Sequence, residues 1–156
     1  MPEDAEPGEV ITQRHRRCGS ALADFYLLVI EEYITLTPAE AVLEVDRIVR
    51  RVLDEMHAAE TTVLEALAGT DRSRPAARLL GGRLDRLRRA GIQVGAAVRA
   101  GDVPSLRRGM TRFDALARAA CAVQLDVYGS AVASSRLGRA SAAHPPAPTP
   151  AGRGGG

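Results

Sequence analysis

Apolar residues recur at alternating steps of four and three through Leu22, Tyr26, Val29, Tyr33 and Leu36. That spacing makes the seam of a helix packed against other helices. Phe25 and Ile30 widen the seam, while Leu27, Leu28 and Ile34 fall off it, so the stretch is apolar on more than one side. A strand over Phe25 to Ile30 would lose its alternation at Glu31 and Glu32, whereas the helical period survives them. The pattern predicts a first helix over 9–36 around which the rest packs. Gly19 weakens its early turns by about 1 kcal/mol relative to Ala, which leaves a start near Cys18 as the alternative. Residues 1–8 are acidic, contain Pro2, Pro7 and Gly8, and read as a disordered lead-in.

Three further helices follow. Thr37-Pro38-Ala39-Glu40 has the form of a capping box with Pro in the first turn, and opens a helix over 38–68. Its seam is Val42, Val45, Val49, Val52, Met56, Ala59, Val63 and Ala66. Gly69 to Arg74 is polar and reads as a loop. Pro75 then opens a helix over 75–100 with the seam Leu80, Leu84, Leu87, Gly91, Val94 and Val98. Gly91 and Gly95, four apart, permit close approach of a neighbouring helix. Gly81-Gly82 offers an alternative break. Gly101-Asp102 supplies a stop and a new cap, with Pro104 in the first turn. The last helix, over 102–136, carries Leu106, Met110, Phe113, Ala117, Ala120, Gln124, Val127 and Ala131. Residues 138–156 are Gly, Ala, Ser and Pro with two Arg, one His and one Thr, a composition that reads as a disordered tail.

Four helices on 3.5-residue seams with short connections predict an all-α, antiparallel four-helix bundle of up-down-up-down order, one domain over 9–137. The rival is a pair of helical hairpins that complete their core only in a dimer. Composition agrees with helices: aromatic residues make up 3% of the chain and there is no Trp, so the core is aliphatic and small.

Charge adds an asymmetry that the net value of +2 hides. Residues 10–69 hold six Arg and ten acids, whereas residues 70–140 hold fourteen Arg and five acids. Either the halves pack together and their charges pair, the favoured expectation, or a basic face is left for nucleic acid. Two cysteines, Cys18 and Cys121, lie far apart. The N-terminus is acidic and without an apolar leader, and the longest wholly apolar run, Phe25 to Ile30, is far short of the ~20 residues that span a bilayer. These features predict a cytoplasmic protein off the membrane, with both thiols in the core rather than in a disulfide.

Candidate chemistry is sparse. A di-iron centre in a bundle draws Glu-x-x-His from two helices and Glu from two more. Here Asp54-x-x-His57 stands alone, since the third and fourth helices contain no His. His15-x-x-Cys18 with Cys121 lacks a fourth zinc ligand. No phosphate-loop or dinucleotide string occurs. No catalytic, metal-ligating or cofactor-binding residue is therefore assigned, and no enzyme activity is expected.

Three surfaces carry functional expectations. Leu27, Leu28 and Ile34, with the charge-poor end of the fourth helix, predict a non-catalytic interaction or regulatory module that self-associates or binds a protein partner. Arg83, Arg86, Arg88, Arg89, Arg107, Arg108 and Arg112 crowd the third and fourth helices and give the alternative, nucleic-acid binding. Gln124, a polar residue on an apolar seam, predicts a fixed register or a small polar pocket with Tyr26, Tyr33 and Cys121. That pocket is the basis of a third reading, a small-ligand regulator.

Overall fold

The computed structural model describes residues 5–28 and 35–143. They form four helices: α1 (Pro7–Leu27), α2 (Pro38–Ala66), α3 (Ser73–Arg99) and α4 (Val103–Ala143). There is no strand among the described residues.

Local chemistry sets the boundaries. Thr37 Oγ1 accepts from the Glu40 amide at 3.2 Å, and the Thr37 amide donates to the Glu40 carboxylate at 2.9 Å. This is the reciprocal box that Pro38 then follows into the helix. Asp102 does the same work for α4, accepting from the Ser105 amide at 3.1 Å and its hydroxyl at 2.6 Å. Gly69 and Gly101, just past the ends of α2 and α3, adopt φ of +80° and +67°, where a side chain would be strained. Gly81 and Gly82 sit inside an unbroken α3, so the alternative break does not occur.

Two ends differ from expectation. α1 begins at Pro7, inside the expected lead-in, because Pro at the first helical position costs no hydrogen bond. Its expected continuation to Leu36 falls partly on residues 29–34, outside the described residues, and 35–36 form a turn. α4 outruns its expected end by seven residues, reaching Ala143 and taking in the start of the expected tail. The remaining tail, 144–156, lies outside the described residues.

Neighbouring helices run antiparallel. Arg14 meets Glu55 and Cys18 meets Val52 between α1 and α2. Gly91 lies against Val49, and Arg99 pairs with Asp46 at 2.8 Å, between α2 and α3. Gly109 lies against Val94 between α3 and α4, and Gly8 lies against Tyr128 between α1 and α4. A carbon added at Gly91 would stand 2.8 Å from Val49 Cγ1, so this glycine is what lets α2 and α3 approach.

The α2, α3 and α4 seams are buried largely as their spacing predicts. On α1 the seam is rotated. Ile11, Cys18, Ala21, Leu22, Phe25 and Leu28 face inward, and Tyr26 is 37% exposed. Phe25 meets Phe113 edge to face, with ring centroids 6.3 Å apart and planes at 79°. Tyr26 in that place would need a partner for its hydroxyl, so the core takes the phenylalanine.

The core has two parts. The larger runs from Cys18 and Val52 to Phe113 and Val98. The smaller gathers Ile11, Val63, Leu67, Ala76 and Leu80 beside the α2–α3 turn. Charge pairing follows the chain rather than joining its halves. Of the ion pairs among the described residues, only Arg99–Asp46 links the acidic half to the basic one. Glu55 pairs with Arg14 at 3.0 Å and Arg17 at 3.8 Å, both on α1 and so within the acidic half.

Candidate functional sites: a polar core layer and an arginine face

The two parts of the core are separated by a polar layer. His15 stands one turn after Ile11 on α1, Glu60 one turn after Met56 on α2, and Gln124 one turn after Ala120 on α4. Gln124 is 2% exposed and Glu60 8%. The Gln124 amide donates from Nε2 to the Met56 carbonyl at 3.1 Å. Its Oε1 therefore faces His15 Nε2, 2.6 Å away, and accepts from it. Both ends of the amide are spent on protein, which locks α4 against α1 and α2 at one register. Tyr26 takes no part, and Tyr33 lies outside the described residues.

Two thiols adjoin this layer. Cys18 Sγ donates to the Val52 carbonyl at 3.6 Å, and Cys121 Sγ approaches Met56 Sδ at 3.9 Å. Val52 and Met56 are one turn apart on α2, and Cys18 and Cys121 each stand one turn from the His15–Gln124 contact, so the two thiols lie next to each other against α2. The pair is unsymmetrical. The neighbouring Cys121 and burial push Cys18 up, so it keeps its proton. The neighbouring Cys18 thiol draws Cys121 down to about 5 against the opposing effect of burial, and nearby His15 adds to it. Burial pushes His15 down, but nearby Cys121 and the Gln124 hydrogen bond outweigh it and leave His15 raised. Cys121 is partly exposed, while Cys18 is 1% exposed.

Glu60 lies on the other flank of α2, towards Arg88 and Asp85. Its Oε2 is buried with no hydrogen-bond partner among the described residues, and burial raises its pKa. No three His, Cys, Asp or Glu residues among those described are gathered closely enough to hold a metal ion. Asp54 and His57 are both exposed.

The expected association surface is not one surface. Leu28 is 2% exposed and belongs to the larger core, and Ile34 lies outside the described residues. Leu27 is 50% exposed. It sits at the far end of α1 from Gly8, and Gly8 is what lies against Tyr128 in the second half of α4. Much of that charge-poor stretch is already covered, since Val127, Tyr128 and Ala131 pack against the smaller core.

The arginines sort by flank. With Gly109 against Val94, residue 112 stands level with about residue 91 of α3, and residue 108 with about 95. Arg86 and Arg89 turn roughly 80° and 140° from Val94, away from the α2 side that Gly91 marks. Arg112 turns roughly 60° from Gly109, away from the α1 side. These three, with half-buried Arg83 at their foot and Arg108 beyond, share the outer face of the α3–α4 pair over about 18 Å. Arg83, Arg86, Arg89 and Arg112 have no ion pair or side-chain hydrogen bond among the described residues. Arg108 donates to Ser105 at 3.0 Å, and Arg88 is turned to Asp85 at 3.1 Å. Arg107 lies on the opposite flank of α4, roughly 160° from Gly109.

No protein-family model, characterised protein or solved structure matches the chain. The sites are therefore read from their own chemistry. Sequence reasoning missed the His15–Gln124 contact, although a signal for it existed. Carried back from Leu22 in steps of four, three and four, the α1 seam passes through Cys18, His15 and Ile11.

Proposed function

We propose that this protein is a non-catalytic helical interaction module whose partner is a nucleic acid, bound through its phosphates by Arg83, Arg86, Arg89 and Arg112. The observation that carries this is four guanidinium groups on one face that no acid of the described chain engages. Arginine left unpaired beside other arginines suits phosphate, which it grips bidentately. No aromatic residue lies among them to stack on a base, and the face belongs to two long packed helices rather than to a short recognition helix. Binding of this kind follows the backbone and carries little sequence preference. The test is fluorescence anisotropy with a labelled duplex and a labelled single strand over a salt series. About four neutralised phosphates should give a log–log salt slope of roughly −3 to −4, and each Arg→Ala change should flatten it by about 1. No binding at low salt, or binding unchanged in the R86A/R89A/R112A variant, would remove the proposal.

Self-association is the second reading, favoured by one observation: Leu27 and Tyr26 stand exposed side by side at the end of α1. Light scattering at micromolar concentration should then show a dimer that Leu27→Glu returns to monomer. A monomer from the outset rejects this reading and leaves the first untouched.

A further inference from the structure

We propose that Cys121 and Cys18 are a peroxide-responsive dithiol, in which Cys121 is oxidised first and Cys18 closes a reversible disulfide between α4 and α1.

The geometry supplies the parts such a pair needs. Two free thiols from helices remote in sequence meet over one turn of α2, anchored at Val52 and Met56. One of them is partly exposed and the other sealed. Oxidisable cysteines are reached from solvent and stand beside a second cysteine that resolves them. His15 adjoins the exposed thiol, is itself half-exposed, and is held in place by Gln124 Oε1 at 2.6 Å. His15 and Arg118 bias Cys121 towards thiolate, the nucleophilic form. Cys18 retains its proton and is the later reactant.

The chemistry balances with a hydroperoxide as the oxidant. The Cys121 thiolate attacks the terminal oxygen of the peroxide, and the O–O bond breaks. The departing alkoxide takes a proton from protonated His15 and leaves as an alcohol, or as water from hydrogen peroxide. Cys121 is then a sulfenic acid. Cys18 Sγ attacks that sulfur, an S–S bond forms, and hydroxide leaves with the Cys18 proton as water. Two thiols and one peroxide become one disulfide, one alcohol and one water. The bond forms when the two sulfurs, neighbours across α1 and α4, close to about 2.05 Å.

The consequence falls on the core. A bond between α1 and α4 beside the His15–Gln124 contact removes the proton donor and acceptor roles of both thiols. It also fixes two helices that the α2 backbone otherwise bridges. Thiol reductants restore the starting state by attack at Cys121, the partly exposed sulfur of the pair.

The experiment uses the full chain, reduced and freed of reductant, then treated with one equivalent of hydrogen peroxide. Thiol titration should fall from two groups per chain to none. Digestion without reductant should yield a peptide pair joined through Cys18 and Cys121, lighter by two hydrogens and separated by dithiothreitol. In the C18S variant a sulfenic-acid trap should label Cys121. In C121S the remaining thiol should react with peroxide at least ~10-fold more slowly than Cys121 does in C18S. Circular dichroism and thermal melting confirm that each variant is folded, and a variant that does not fold leaves the wild-type peptide map to decide. Persistence of both thiols, preferential oxidation of Cys18, or disulfides only between chains would overturn the proposal.

Discussion

Glu60 and Gln124 are both buried polar residues, yet their energetics have opposite signs. Gln124 spends both ends of its amide, so Gln124→Leu should strand the His15 donor and destabilise the fold by roughly 1–3 kcal/mol. Chemical denaturation at pH 7 measures it. Glu60 leaves one carboxylate oxygen unpaired, and burial raises its pKa. A carboxyl raised in the folded state favours folding below its unfolded value, about 4.3. That contribution is lost as pH climbs through the folded value, leaving a buried charge at neutrality. Glu60→Leu should therefore raise stability at pH 7 by about 1 kcal/mol, with the gain shrinking to nothing below pH ~4. Melts at both pH values test the sign. Cys121 has its own signature: alkylation by iodoacetamide should rise with pH about a midpoint near 5 rather than at the ~8.5 of a free thiol. A profile centred above 8 would contradict the hydrogen-bonded thiolate. Gln124 is legible in the sequence as a polar break in a seam. Its partner is not, because polar residues at the start of α1 look like a weak helix end until the opposing helix is in place.

At the scale of elements, the α3 glycines divide by what surrounds them. An alanine carbon at Gly91 would press on Val49 Cγ1 at 2.8 Å and on Phe113 at 3.4 Å. Val49 is β-branched and cannot swing clear, so Gly91→Ala should cost roughly 1–2 kcal/mol despite its better helix propensity. Gly81 and Gly82 have nothing within 4 Å. Each should gain about 0.5–1 kcal/mol as alanine, and nothing in the structure explains why glycine stands there. Urea titration of the three single variants separates these outcomes. The four-residue spacing of Gly91 and Gly95 is enough to announce close helix approach, just as Thr37 to Glu40 announces a cap. Both are local signals that tertiary packing leaves alone. The α1 seam is different. From Phe25 to Leu28 four consecutive residues are apolar, so periodicity permits more than one rotation of the helix. The choice rests with Phe113, remote in the chain, which periodicity within α1 does not register.

For the whole molecule the same limit holds for the charges. Their segregation is plain in the sequence, but whether the halves pair depends on which flanks face each other, and among the described residues only Arg99 and Asp46 do so. The core has a comparable division with a measurable consequence. Ile11, Val63, Leu67, Ala76 and Leu80 form a small cluster cut off from the main core by His15, Glu60 and Gln124. Apolar contacts that would couple the two parts are interrupted at that layer, and the smaller part ends at the α2–α3 turn rather than against further structure. Its opening exposes little surface, and one boundary group, Glu60, gains solvation when it opens. Native-state hydrogen exchange should therefore show the amides near Val63 and Leu80 opening at a free energy at least ~1 kcal/mol below those near Leu87 and Met110. Glu60→Leu should narrow the difference by placing apolar surface across the layer, whereas Gln124→Leu should lower both sets together because it unlocks α4 from α1 and α2. Exchange at one common free energy throughout the bundle would mean that the polar layer does not divide the core into separate cooperative units.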